Sequence, residues 1–268
     1  MSDRARAYWR LLDTVEDYLR YGERTAHQVP ERIGLPAQDE ADQPPRRAPV
    51  VRGGAEGRAA DALAALRADE PSDDPDRAMR LRRLGMLSER VRACTRCPLH
   101  EGRMQAVPGE GVLDPQVMVV GEAPGADEDR RGLPFVGKAG QFLDRWLEAI
   151  DLTRRRTAYI VNVVKCRPPG NRDPRPHESE ACLPYLREQI DLVRPRAIMT
   201  VGRVATGILI GTNAGITSLR GRMFYFNGIP LIPTFHPAAV LRDAELKRPV
   251  WEDLKRMREL LDRGPTGG

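Results

Sequence analysis

The chain has 268 residues, of which 41% are hydrophobic, 30% charged and 5% aromatic, a soluble composition long enough to bury one good-sized core. No apolar run approaches the roughly 18 residues that mark a membrane-spanning helix, and the opening MSDRARAYWRLLDTVEDYLRYGER is charged throughout, without the apolar stretch or small-residue cleavage site of a secretion signal. A cytoplasmic protein with no membrane partner is expected. The net charge of +5 is uneven: residues 1 to 85 hold 15 Arg against 16 acidic residues, whereas residues 86 to 268 hold 28 bases and 22 acids, a net +6. That modest excess suits a polyanionic partner, and equally a merely solvated surface.

Along the chain, Tyr8, Leu11, Leu12, Val15 and Leu19 are spaced for one face of an amphipathic helix over about 4–22, a surface able to dock on a partner. From Pro36 to Asp76 the text is rich in Pro, Ala, Asp and Arg with no aromatics, so it cannot offset its own chain entropy and reads as a linker. Residues 1–77 are therefore an N-terminal extension, 78–262 a globular domain and 263–268 a flexible tail.

Within the domain the expected elements alternate. A helix over about 79–91 leads into Cys94-Thr95-Arg96-Cys97, and a strand at 117–120 runs into Gly121-Glu122-Ala123-Pro124-Gly125. A helix at 139–150, a strand at 158–162, a helix at 178–193 and a strand at 197–201 follow, then a helix start at 202–210. Residues 223–226 and 231–232 flank Asn227-Gly228, a pair suited to a tight hairpin, and a last helix covers about 250–261. Short apolar strands alternating with helices predict a parallel α/β sheet covered on both faces, with ligand sites in the loops after the strands.

The sharp motifs sit in those loops. The only cysteines are Cys94, Cys97, Cys166 and Cys182. One CxxC pair and two distant single thiols read as one shared metal site built by the tertiary fold, with a disulfide pair as the alternative that a reducing compartment disfavours. Spacing alone does not choose between zinc and an iron–sulfur group. The Gly121–Gly125 turn is neither a dinucleotide fingerprint nor a Walker loop. Phe135 precedes a helix start, where a ring can stack on a flat ligand or simply be buried. The stretch from Asn162 to Arg172 puts amides, bases and Cys166 on one stiff loop, and His236 ends a strand where Pro237 is read as preventing an immediate helix.

Taken in order, the blocks CTRC, GEAPGADED, PFVGKAG, NVVKCRPPGNR with Cys182, and TFHPAAVLR resemble the family 4 uracil-DNA glycosylases, the iron–sulfur branch of the uracil-DNA glycosylase superfamily, over residues 86–262. The resemblance implies a three-layer α/β/α sandwich on a central, mainly parallel four-stranded sheet. It further implies a [4Fe-4S] cluster on Cys94, Cys97, Cys166 and Cys182, a monomer, and hydrolysis of the N-glycosidic bond of deoxyuridine in single- or double-stranded DNA. On this reading Phe135 stacks on the extruded base and Asn162 reads its edge, while His236 donates to O2 and Gly121, Glu122 and Ala123 line the pocket. The better-known branch has an Asp at the place of Ala123; here Asn171 is the candidate to position water, with Glu122 or Glu128 assisting. Arg167, Arg172, Arg220 and Arg242 are candidate phosphate contacts. Two rival readings are a covalently trapping relative, disfavoured because PGNRDPRPHESE lacks a basic run and leaves His177 a surface residue, and a non-catalytic, polymerase-associated iron–sulfur module. The helix at 4–22 is the candidate contact for a repair or replication protein.

Overall fold

The computed structural model describes residues 74–263. The expected helix at 4–22, most of the linker and the tail from 264 lie outside the described residues. Helix α1 (Pro75–Arg92) begins where the linker was expected to end, because Asp74 caps it: its carboxylate accepts from the Asp76 amide at 2.9 Å, and Pro75 fills the first turn. A single turn, α2 (Leu99–Gly102), follows the CxxC pair.

The remaining elements are β1 (Glu110–Gly111), β2 (Val117–Gly121), α3 (Ala126–Arg131), α4 (Lys138–Ala149), β3 (Ala158–Asn162), α5 (Pro176–Val193), β4 (Ala197–Val201), α6 (Arg203–Ile210), α7 (Ile216–Leu219), β5 (Phe224–Phe226), β6 (Ile229–Thr234), α8 (Pro237–Arg242) and α9 (Lys247–Asp262), of which the short β1, α3, α7 and α8 were not expected from the apolar pattern. The sheet order is β1-β3-β2-β4-β6-β5. The four central strands β3-β2-β4-β6 are parallel, as expected, and β1 and β5 add antiparallel edges. β1 is only two residues long and has no periodicity to reveal it. β5 is one arm of the expected hairpin, whose turn residues Asn227 and Gly228 both have positive φ, 49° and 80°.

Every residue of β2, β3 and β4 is buried, so each strand feeds both faces. Met118, Val120, Tyr159, Val161 and Ile198 pack against α1, α5 and α6 through Leu87, Leu186, Ile190 and Ala205. The alternate residues Val117, Val119, Ile160 and Met199 pack against α4 and α9 through Leu143, Trp146, Leu254 and Met257. This period-2 division builds the three-layer sandwich, and each fully buried large apolar side chain stabilises it by about 1.5–3 kcal/mol. Among the described residues no helix is long and apolar enough to cross a membrane.

Candidate active site

The parallel register brings the carboxyl ends of β2 and β3 level, with Gly121 opposite Asn162. Asn162 is 1% exposed, and its Oδ1 is a buried acceptor with no hydrogen-bond partner. Such an atom normally costs about 1–3 kcal/mol, and it leaves one acceptor free for a donor brought beside it. Its backbone is held hard: the Lys165 ammonium, itself fully buried, donates to the Asn162 carbonyl at 2.7 Å and to Gln189 Oε1 at 2.6 Å, and Gln189 donates in turn to the Pro108 carbonyl at 2.7 Å. Burial pushes Lys165 down to about 7, against the pull of Cys182 and Cys166.

Phe135 closes the other side. A Cβ built on Gly121 would stand 2.4 Å from Asn162 Oδ1 and 2.5 Å from Phe135 Cζ, so only glycine lets both reach the same spot. The ring is buried, lies 5.7 Å from the His236 ring at 31°, and belongs to a residue with φ of 52°. Glu128 fixes the turn: Oε1 accepts from the Val136 and Gly137 amides at 2.7 and 2.9 Å, and Oε2 from Gly125 at 3.1 Å. Both oxygens are engaged by the backbone, so Glu128 holds the Phe135 turn.

His236 caps α8. Its Nδ1 accepts from the Ala238 amide at 3.1 Å, which leaves the proton of the neutral ring on Nε2. Burial pushes the imidazole down to about 4, with Arg242 adding to the fall and Glu128 opposing it. The sequence reading of Pro237 as a helix breaker is corrected here: Pro237 is the first residue of α8, where its fixed φ and missing N–H are favourable. Gly202, with φ of 95°, sits beneath the ring, its built Cβ 3.2 Å from His236 Cβ.

Glu122, next to Gly121, is half-buried. Burial raises its carboxyl to about 7, Asp173 adds to the rise, and Arg203 opposes it. Asp173 and Arg203 form an ion pair that ties the 166–175 loop to the start of α6. Asn171 is exposed with φ of 54°, and its Oδ1 accepts from Arg167 Nε at 2.8 Å. Ala123 packs against the α1-side core. A separate groove of about 390 Å³ lies between α1 and α5, and no residue of the candidate site lines it.

The four free thiols line one small cavity, with Arg103, Lys165 and Tyr185 beside them. Arg103 donates to Cys166 Sγ at 3.0 Å and the Lys165 amide to Cys182 Sγ at 3.3 Å. Burial pushes the Cys182 thiol up to about 11 and raises Cys166, while Lys165 and Arg103 respectively pull them back. The disulfide alternative is not realised. Among the described residues no three His, Cys, Asp or Glu side chains form a group that could hold one metal ion.

The profile of the uracil DNA glycosylase superfamily matches residues 108–255. The type-4 uracil-DNA glycosylases of Sulfurisphaera tokodaii and Thermotoga maritima are each 44% identical to this chain, over 185 and 180 residues; both alignments take in 66% of this chain, with 84% and 93% of those proteins. That of Pyrobaculum aerophilum is 45% identical over 179 residues, 64% of this chain and 91% of it. The chain belongs to the type-4 uracil-DNA glycosylases.

In this type-4 glycosylase two of the four arginines expected at phosphates are committed elsewhere. Arg220 donates to Asp253 at 2.9 and 3.0 Å and to the Pro249 carbonyl, and lies over the Phe235 ring; it is a structural strut. Arg172 grips Glu178 at 2.7 and 2.8 Å, holds that carboxyl down at about 2, and so ties the 166–175 loop to α5. Arg242 is exposed and Arg167 half-buried, and both stay available in outline. Residues missed in the sequence are the supports: Arg103, Arg154, Lys165 and Gln189. Each acts through long-range bonds that no local pattern announces, although a lysine in the apolar stretch just after β3 was a visible anomaly.

Proposed function

We propose that this type-4 glycosylase hydrolyses the N-glycosidic bond of deoxyuridine in DNA and releases free uracil, the first step of base excision repair. The observation that carries the reading is the unpartnered, buried Asn162 Oδ1, brought beside the Phe135 ring edge over Gly121. A uracil extruded from the helix stacks on Phe135, gives its N3–H to Asn162 Oδ1 and takes the amide N–H at O4. Cytosine carries the opposite pattern, an acceptor at N3 and a donor at C4, and leaves both pairs unsatisfied. The Nε2–H of neutral His236 donates to O2 as negative charge moves onto the departing base. Gly121, Glu122 and Ala123 form the wall beneath it.

The sugar left behind is cationic and needs a placed water more than a strong base. Asn171 positions that water, and Glu122, ionising near neutrality, stabilises the cation from the same end of the sheet. Arg167 and Arg242 meet phosphates.

The thiol cavity fits a [4Fe-4S] cluster on Cys94, Cys97, Cys166 and Cys182. Four sulfur donors around one cavity, two N–H donors aimed at the buried sulfurs, and two adjacent cations suit thiolates bound to a cluster. When bound, the cluster cross-links the CxxC turn, the 166–175 loop and α5; hydrolysis asks no redox step of it. The protein acts as a cytoplasmic monomer, and residues 4–22, by their apolar periodicity, are the contact for a repair or replication partner.

The test is a labelled oligonucleotide with one uracil, incubated with purified protein and then treated with alkali. Strand breakage at uracil, and none at cytosine in the same position, is expected. Intact strands refute catalysis and favour the non-catalytic module, and a denaturant-resistant protein–DNA adduct favours the trapping relative.

A further inference from the structure

We propose that Arg154 is a positioning residue for uracil excision: it holds the backbone of Phe135 in the conformation that sends the ring into the pocket. The proposal rests on the functional reading above. Phe135 has φ of 52°, a left-handed conformation that is unfavourable for an L-residue with a Cβ and persists only where surroundings impose it. The surroundings impose it from both sides. On one, Glu128 takes the Val136 and Gly137 amides. On the other, Arg154 takes the carbonyls: Nη1 donates to Pro134 O and Nη2 to Phe135 O, each at 2.6 Å.

Arg154 lies outside the pocket, in the loop before β3, and none of its bonds goes to Asn162 or His236. Its guanidinium is fixed by two carboxylates, Glu110 of β1 at 2.5 Å and Asp144 of α4 at 2.9 Å, and its side chain is 15% exposed. Strand β1 thus delivers Glu110 to Nη1, the nitrogen that also donates to the Pro134 carbonyl, while Asp144 takes Nε. Space for the Phe135 carbonyl comes from Gly140, where a built Cβ would stand 1.8 Å from that oxygen. Two carbonyls and two carboxylates around one planar fork suit a guanidinium and not an ammonium.

A double-mutant cycle decides it. Arg154→Lys keeps a cation between Glu110 and Asp144 but cannot bond both carbonyls; Arg154→Met removes the charge as well. In otherwise unaltered protein each is expected to lower kcat/KM on uracil DNA by roughly 10- to 100-fold. In a Phe135→Ala background the same changes are expected to lower it less than about twofold, because the ring they position is gone. Equal losses in both backgrounds overturn the proposal, as does full activity of both Arg154 variants. Should Arg154→Met fail to fold, Arg154→Lys carries the cycle alone. If the unaltered chain excises no uracil, the functional reading falls and this proposal with it; excision unaffected by Arg154 sinks this proposal only.

Discussion

Gly121 and Asn162 are register partners at the ends of adjacent parallel strands, and the hydrogen that Gly121 carries in place of a side chain is what lets Asn162 Oδ1 and the edge of Phe135 converge. Gly121→Ala is therefore expected to displace one or the other by about an ångström and to reduce excision roughly 100-fold, since catalytic geometry is sensitive at that scale. The strand conformation of Gly121 suits any residue, so the thermal midpoint should move by only a few degrees. Excision kinetics beside a melting curve checks both halves; a variant that is fully active shows that the pocket has slack.

On the proposed role, Asn162 couples recognition to instability. Its orphan acceptor costs about 1–3 kcal/mol in the free protein. Asn162→Leu, close in shape, removes that acceptor and is expected to leave stability equal or higher while reducing excision at least about 100-fold, because the uracil edge loses its partners. Chemical denaturation and single-turnover rates measured on one preparation test this trade. A large drop in stability instead means that the side chain is satisfied in solution and serves the core.

These two residues show what the sequence made legible. The strand end at Asn162 followed from a short apolar run, and the loops that bear the candidate residues followed from the alternating pattern of a parallel sheet, while the roles proposed for them came from the resemblance. Legibility stopped where partners are distant in sequence. Glu128 and Arg220 carry charges that any surface or active site accepts, and only the tertiary fold shows Glu128 capping the Phe135 turn and Arg220 bonded to buried Asp253. His236 was found for its place after β6, but the role of Pro237 was inverted, because proline breaks helix interiors and favours their first turn.

Glu122 is expected to set the pH response through the proposed electrostatic role. With its carboxyl raised to about 7, it is protonated in acid and becomes a carboxylate as pH rises through neutrality. If that charge stabilises the cationic sugar, kcat rises with pH, inflecting near 7, and Glu122→Gln flattens the profile at the low limb. Asp173→Asn removes a neighbour that raises the carboxyl, so the inflection should move down; Arg203→Gln removes one that lowers it, so the inflection should move up. For stability the sign is reversed. The folded state holds this proton more tightly than the unfolded chain, so stability is lost as pH rises from the ordinary carboxylate range through 7, and Glu122→Gln should remove that loss. A profile unchanged by Glu122→Gln refutes the electrostatic role.

The thiol cavity and Asn162 are joined by one residue. The Lys165 amide donates to Cys182, its ammonium to the Asn162 carbonyl, and Cys166 follows it directly. Removing one corner, as in Cys182→Ala, or stripping metal with a chelator is thus expected to bleach the broad violet-blue absorption of an iron–sulfur protein and to loosen the 163–172 segment. Strands β2 and β4 bond to each other through a ladder independent of that segment and should keep their amide protection. Excision should fall at least about 100-fold while far-UV circular dichroism changes little. Hydrogen exchange resolved by peptide, read beside absorbance and excision, distinguishes this from a cofactor that holds the whole fold: loss of protection in β2 and β4 together with the loop makes the quartet a general staple, whereas loss confined to the loop makes it the mount of Asn162.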